Sequence, residues 1–167
     1  MIMKKVLIIG CPGAGKSTFG RALAAKTGLP LLYLDMVWHR TDRTTVSKDE
    51  FDVRLAEIMK NEGWIIDGNY KRTLPMRLKE ADTVFFLDYP IEVCMQGAMA
   101  RLGKPRPDVP WDGSNDLELD EEFRQWILDY PKDQMPVIAE LLKSYSGTLY
   151  VFHSREEANK FLEDLDM

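Results

Sequence analysis

The sequence predicts an α/β fold, a parallel sheet with helices on both sides. Three observations carry this. Short apolar runs alternate with amphipathic segments along the whole chain. The runs show no clean in/out alternation, as expected of strands buried on both faces. A glycine-rich turn joins the first run to the first helical segment, the connection that opens many nucleotide-binding sheets.

The elements follow in order. Met3 to Ile9 reads as the first strand and Lys16 to Lys26 as a helix, with Phe19, Ala22 and Leu23 on one face and Gly28 at its C-terminal end. Leu31 to Leu34 is a second short strand and Thr41 to Thr45 a polar loop. Ser47 with Glu50 forms a capping box for a helix that turns Phe51, Leu55, Ile58 and Met59 inward. Trp64 to Ile66 is a third strand, closed by Asp67-Gly68-Asn69; Thr83 to Leu87 is a fourth, ending at Asp88-Tyr89-Pro90. Ile91 to Leu102 is helical. Gly103 to Asn115, with three Pro and two Gly, is a loop. Leu119 to Leu128 and Val137 to Tyr145 are helices, and Thr148 to Phe152 is the fifth strand. Ser154 and Glu157 make a second capping box, for a last helix carrying Phe161, Leu162 and Leu165.

Composition bounds the function. A length of 167 residues predicts one compact domain over 1–167, large enough for a core without staples. With 45% hydrophobic and 29% charged residues the chain is not disordered, and its 2 Cys exclude a disulfide scaffold. The opening apolar run, Val6 to Ile9, is too short for a membrane span or signal segment, so no membrane partner is expected and the cytoplasm is the default location. Net charge is −5, with a pI of about 5.1, which leaves no basic footprint for duplex DNA. The charge is uneven: residues 1–107 hold 17 Lys+Arg against 12 Asp+Glu, and residues 108–167 hold 5 against 15. An electropositive first part suits a small anionic ligand.

The decisive motif is Gly10-Cys11-Pro12-Gly13-Ala14-Gly15-Lys16-Ser17, which matches G-x-x-x-x-G-K-[ST]. A polyphosphate must lie against bare backbone N–H groups, which requires residues without a Cβ that tolerate positive φ. The helix that follows supplies open donors and the positive end of its dipole. Lys16 reaches the β and γ oxygens, and the Ser17 hydroxyl ligates Mg²⁺. At this composition the pattern arises by chance in roughly 0.4% of such chains. The expected nucleotide site is therefore Gly10, Pro12, Gly13, Ala14, Gly15, Lys16, Ser17 and Thr18. Cys11 reads as a small loop filler rather than a redox group.

Strand ends supply the other candidates. Asp67 is the expected second Mg²⁺ group beside Ser17, the alternative being a turn-capping carboxylate. Asp35, at the end of the second strand, is the expected base or orienter for an acceptor hydroxyl. Trp38 is a pocket wall or simple packing. Asp88 reads as a turn residue, because Pro90 follows. His39 reads as a loop residue, and with His153 the only other histidine there is no zinc set. Charge building up on a transferred phosphoryl group calls for arginine. The candidates are Arg40, Arg43, Arg72, Arg77, Arg101 and Arg106, with Arg101 and Arg106 favoured because they border the Pro/Gly-rich loop, where a closing lid is expected.

With these residues in view, the chain resembles P-loop kinases of the adenylate kinase type, and within them the adenylate-kinase-related DNA topology modulation (FlaR-type) proteins. The resemblance rests on Gly10–Thr18, Tyr33-Leu34-Asp35 with Trp38, Gly63-Trp64-Ile65-Ile66-Asp67-Gly68-Asn69-Tyr70, Phe85-Phe86-Leu87-Asp88-Tyr89-Pro90, and Arg101 with Lys104-Pro105-Arg106-Pro107-Asp108. It implies the three-layer α/β/α P-loop NTPase fold, a five-stranded parallel sheet of order 2-3-1-4-5 with a helical lid. The implied lid spans about 103–120 and the acceptor-binding region about 36–75. Gly63 to Gly68 corresponds to the adenylate kinase run G-F-[IL]-L-D-G. Where that family continues F-P-R, this chain reads Asn69-Tyr70-Lys71-Arg72, which argues against AMP as acceptor. An Asp after the second strand is similar to shikimate- and gluconate-type kinases, where it binds an acceptor hydroxyl. The reading is an ATP- and Mg²⁺-dependent kinase of a small metabolite or nucleotide, with Lys16, Asp35 and Arg101 catalytic, Arg101 and Arg106 also on the nucleotide, and Ser17 and Asp67 on the metal. It is expected to act as a monomer or weak dimer without direct nucleic-acid contact. The alternative is a nucleotide-binding regulatory protein with little turnover that affects DNA topology indirectly.

Overall fold

The computed structural model describes residues 3–165. Five parallel strands form one sheet in the order β2-β3-β1-β4-β5, the order the resemblance implies. The strands are β1 (Lys5–Gly10), β2 (Leu31–Tyr33), β3 (Trp64–Asp67), β4 (Thr83–Leu87) and β5 (Thr148–Phe152). The helices are α1 (Lys16–Thr27), α2 (Leu34–Trp38), α3 (Lys48–Met59), α4 (Leu74–Glu80), α5 (Ile91–Ala100), α6 (Glu121–Asp133), α7 (Met135–Lys143) and α8 (Arg155–Asp164). Between α5 and α6 lies a long irregular segment with a single 3₁₀ turn at Gly113–Asn115.

The central strand is the most apolar for a physical reason. β1 pairs with β3 on one side and β4 on the other, and helices cover both faces, so Val6, Leu7, Ile8 and Ile9 are fully buried. Each such side chain contributes about 1.5–3 kcal/mol of burial. The parallel register sets Ile8 beside both Asp67 and Phe85, which brings the carboxyl ends of β1 and β3 level. The fifth strand does not follow the both-faces-buried expectation. β5 is an edge strand: Leu149 and Val151 are exposed, while Phe152 packs with Phe85, Phe161 and Phe19.

The two capping boxes form as the sequence predicts. Ser47 Oγ accepts from the Glu50 N–H at 3.1 Å, and Ser154 Oγ accepts from the Glu157 N–H at 3.2 Å. Besides small shifts at helix ends, three elements differ from the sequence reading. The second strand stops at Tyr33, because Leu34 and Val37, one helical turn apart, bury the inner face of α2. Asp35 therefore sits in the first turn of a short helix, not at a strand tip. Helix α4 went unread, because a buried Arg77 stands where the stripe needs an apolar residue. α6 runs on past Leu128 through Pro131, carried by the buried Ile127 and Tyr130.

One backbone contact fixes the glycine-rich turn against the rest of the fold. A Cβ on Gly13 would lie 2.0 Å from the Cys94 carbonyl oxygen and 2.8 Å from the Ala98 nitrogen, both on α5. A Cβ on Gly97 of α5 would in turn lie 1.9 Å from the Gly13 carbonyl oxygen. Turn and helix touch through bare backbone on both sides. Gly97→Ala is expected to destabilise the protein by about 1–3 kcal/mol, as overpacking does. It should also weaken nucleotide binding. A thermal melt and an ADP titration of the variant check this, and an unchanged melting temperature would contradict it.

Candidate active site

The turn between β1 and α1 is built to expose backbone. Gly13 and Gly15 take φ of 85° and 98°, values that favour glycine. α1 begins after Gly15 with no side-chain cap, so its first-turn N–H groups stay open to an anion. Pro12, Gly13, Gly15, Lys16, Ser17 and Thr18 line a cavity of about 1090 Å³. Gly10 and Ala14 lie behind that wall. Asn69 holds Gly10 on both sides, its Oδ1 accepting from the Gly10 N–H at 2.9 Å and its Nδ2 donating to the Gly10 carbonyl at 2.7 Å. The Ala14 N–H donates to the Cys11 carbonyl at 3.0 Å. Lys16 Nζ curls onto the Gly10 and Cys11 carbonyls, at 3.0 and 3.4 Å. Arg155, at the start of α8, donates to the Gly13 carbonyl at 3.1 Å. Cys11 is buried against Cys94, and that contact together with burial pushes its thiol pKa up.

Asp67 ends β3 and is buried. Its carboxylate accepts from Ser17 Oγ at 3.1 Å. Burial pushes its pKa up to about 6; Lys16 and the Ser17 hydroxyl oppose the rise, and Asp35 and Asp108 add to it. Those two contributions mean that three carboxylates share one chamber. Among the described residues no group of three His, Cys, Asp or Glu side chains is set to hold a metal by itself. Mg²⁺ on a nucleotide needs less, since one hydroxyl and one carboxylate complete a shell otherwise made of water and phosphate. The Ser17–Asp67 pair, facing the cavity, fits that requirement.

The opposite half of the cavity is aromatic. Asp35 accepts a hydrogen bond from the Tyr70 hydroxyl. Trp38 lies one turn further along α2 and serves both of its sequence-read roles: it lines the cavity, and it packs edge-on against Phe51 (5.6 Å between centroids) and Tyr70 (6.4 Å). Burial, with the Asp35 carboxylate next in size, pushes the Tyr70 pKa up, which keeps it a donor. Tyr70 has a φ of 34°, rare outside glycine.

The arginines sort into three groups. Arg101, the C-cap of α5, and Arg106 line the cavity. Arg101 lies over the Phe123 ring at 5.7 Å, and burial followed by the Arg106 charge holds its pKa down. Arg106 pairs with Asp108 at 2.9 Å. Arg72 is locked in a two-pronged pair with Asp52, at 2.8 and 3.1 Å, on the cavity rim. Arg40 bonds the Thr45 carbonyl, and Arg43 bonds Asp116 at 2.9 Å with its guanidinium over Trp111. Arg77 is fully buried and faces backbone carbonyls. Asp88 faces away from the chamber, toward His153 at 3.6 Å.

Sequence reasoning did not single out Asn69, Tyr70 or Arg155 as site residues. Asn69 and Tyr70 directly follow Asp67-Gly68, a signal that was available. Arg155 reaches the turn across 142 residues, a contact no local pattern carries.

No protein-family model matches the chain. It is 31% identical over 97 residues to shikimate kinase 2 of Yersinia pestis (strain Pestoides F), and equally to that of Yersinia pseudotuberculosis (strain YPIII). The match covers 58% of this chain and 45% of the relative, so it spans under half the length of these curated relatives. Among solved structures, the chain is similar to a shikimate kinase from Acinetobacter baumannii in complex with shikimate, with a TM-score of 0.63 at 22% identity over 96% of this chain and 92% of that one. A shikimate kinase from Bacteroides thetaiotaomicron gives 0.58 at 19% identity, covering 97% and 96%. A gluconokinase from Sinorhizobium meliloti gives 0.54 at 16% identity, covering 96% and 87%. The fold is that of the shikimate kinases. Their likeness, over nearly the whole chain, agrees with the α/β P-loop architecture and with the sheet order described above.

The raised pKa of Asp67 has a consequence for stability. In the unfolded chain this group ionises near 3.8 and in the folded one near 6, so the fold favours the protonated form. At pH 7 its ionisation costs about 3 kcal/mol, and that cost fades as pH falls from about 6 toward 4. Asp67→Asn is expected to raise the melting temperature of the nucleotide-free protein at pH 7, with the gain vanishing near pH 4, and to weaken Mg²⁺-dependent nucleotide binding. Melting curves across pH, paired with a Mg²⁺ titration, check both halves; equal melting temperatures at pH 7 would contradict the assignment.

Proposed function

We propose that the protein is an ATP-dependent kinase of a small hydroxylated metabolite. One observation carries the reading. The phosphate turn with Ser17 and Asp67, and the Asp35–Tyr70 pair, line one continuous cavity. A volume of about 1090 Å³ exceeds what one drug-sized ligand needs and suits a nucleotide and a second substrate together. The partial match to shikimate kinase 2 supports the same chemistry.

In this reading the chain's residues take the following roles. The N–H groups of Gly13 through Thr18 and the Lys16 ammonium cradle the ATP phosphates. Lys16 leaves its carbonyl partners when phosphate arrives, because a charge-assisted bond outweighs a neutral one. Ser17 and Asp67 would hold Mg²⁺, which when bound would neutralise charge on the phosphates. Asp35 accepts the proton of the acceptor hydroxyl while that oxygen bonds to the γ-phosphorus and the bond to the ADP oxygen breaks. Arg101, with Arg106 released from Asp108, stabilises charge on the phosphoryl oxygens. The segment about 103–120 acts as a lid and the region about 36–75 as the acceptor side. Trp38 and Tyr70 give that side an apolar wall suited to a carbon skeleton or ring.

The subgroup is the adenylate-kinase-related DNA topology modulation type, supported by Asp67-Gly68-Asn69-Tyr70 and Lys104-Pro105-Arg106-Pro107-Asp108. With a net charge of −5, any effect on DNA is indirect, through nucleotide or metabolite levels. No described helix is long and apolar enough to cross a membrane, and the protein works in the cytoplasm as a monomer or weak dimer.

The test is ADP release from MgATP across a panel of hydroxylated acids, polyols and nucleosides, with shikimate and gluconate included. Release that depends on one acceptor class is expected, and tight ATP binding with no release from any member would overturn the kinase reading. Lys16→Ala is expected to abolish turnover. Asp35→Asn should lower transfer by about a hundredfold while changing ATP affinity little. An equal loss of both would remove Asp35 from the acceptor role.

A further inference from the structure

Arg77 is an unusual residue for this chain to bury. Its side chain is wholly inside the protein, on α4, and among the described residues no carboxylate pairs with it. Removing a guanidinium from water is unfavourable unless its donors are satisfied. Here they are satisfied by one short stretch of chain. Nη1 donates to the Gly68 carbonyl at 3.0 Å, and Nη2 donates to the Asn69 carbonyl and to the Tyr70 carbonyl at 3.1 Å. Nε donates to Thr73 Oγ1 at 3.3 Å, and that hydroxyl itself donates to the Tyr70 carbonyl at 3.2 Å. Three successive carbonyls thus converge on one planar fork.

The stretch so held touches both halves of the chamber. Asn69 uses its side-chain amide to clasp the N–H and carbonyl of Gly10, where β1 enters the phosphate turn. Tyr70 points the other way and donates to Asp35. Tyr70 adopts a left-handed backbone that a tyrosine rarely takes unless its surroundings hold it there. The Tyr70 carbonyl accepts from the Thr73 N–H at 2.9 Å and from the guanidinium, which alone also takes the two carbonyls before it.

We propose that Arg77 is a positioning residue, which sets the acceptor-side carboxylate Asp35 in register with the phosphate turn by pinning the Gly68, Asn69 and Tyr70 carbonyls. The proposal rests on the reading that Asp35 serves the acceptor. It adds a residue that touches neither substrate. In-line transfer between two bound molecules depends on their relative placement, and a small misplacement costs much of the rate. One rigid link between the two subsites meets that need.

The test reads the Tyr70 hydroxyl proton by NMR of the full chain. A hydroxyl held between a buried ring and a carboxylate gives a protected downfield resonance, and Tyr70→Phe identifies it by removing it. Its absence from the wild-type spectrum would overturn the proposal at the first link. Arg77→Met and Arg77→Lys, checked for native circular dichroism, are both expected to lose the resonance. Persistence in folded Arg77→Met would mean that the stretch holds itself. Persistence in Arg77→Lys would mean that charge suffices and the three-carbonyl fork is irrelevant. Either result overturns the proposal. If neither variant folds, Thr73→Val decides: it removes only the Nε partner and the hydroxyl on the Tyr70 carbonyl, so faster exchange of the Tyr70 proton is expected, and unchanged exchange rejects the role. A folded Arg77 variant should also bind MgADP about three- to tenfold more weakly, the range for one lost hydrogen bond at Gly10; wild-type affinity would reject the link to the phosphate turn. None of these readouts requires phosphoryl transfer. Failure of every acceptor in the ADP-release assay would therefore overturn the kinase reading without deciding this one.

Discussion

The backbone-to-backbone approach of Gly13 and Gly97 sets the position of everything else in the chamber. A phosphate turn must be rigid enough to keep its N–H groups aimed inward, yet it cannot use side chains to brace itself without filling the space the anion needs. This chain braces it from behind. The α5 backbone presses on Gly13, and Arg155 takes up the Gly13 carbonyl from a third direction. The turn is then a fixed surface with its donors facing the cavity, which is the preorganisation that electrostatic stabilisation requires.

Once the turn is fixed, charge balance governs the rest. Asp67, Asp35 and Asp108 lie close enough to influence one another, and burial already disfavours the ionised form of Asp67. Lys16 and Arg101 offset part of that repulsion. The nucleotide-free chamber is therefore under electrostatic tension, which a cation placed beside Asp67 would relieve. Such tension is expected of a site whose parts are selected for a bound state rather than for stability alone.

Sequence legibility follows the range of the interactions. The phosphate turn and the two capping boxes were readable because each lies within eight consecutive residues, and the central strands because burial on both faces leaves a continuous apolar run. Asp35 lines the chamber from the first turn of a helix and not from a strand tip, since Leu34 and Val37 fit a strand end and a helical turn equally well over so short a span. The exposure of Leu149 and Val151 was missed because the edge position of β5 is decided by strand order, which apolar runs do not encode. Helix α4 was lost for a related reason. Its inner face carries Leu74 and Arg77, and an arginine on an inward stripe reads as solvent-facing until its partners are known.

That last case bears on how charged residues near phosphate sites are read. Arg77 is one of the six arginines that the sequence offers for charge on a transferred phosphoryl group. Its surroundings give it another use. An arginine facing the cavity, like Arg101, is open to an anion there, whereas one fully buried among carbonyls is out of a phosphate's reach. Burial has pushed its pKa down to about 9, so it stays charged at neutral pH and its carbonyl partners stay bound. Replacing it with an apolar residue would avoid the desolvation cost but take away the donor on the Gly68 and Asn69 carbonyls, while the Tyr70 carbonyl would keep the Thr73 N–H and hydroxyl. The buried charge answers the Gly68 and Asn69 carbonyls of this bend, and the bend connects the Ser17–Asp67 side of the chamber to the Asp35 side.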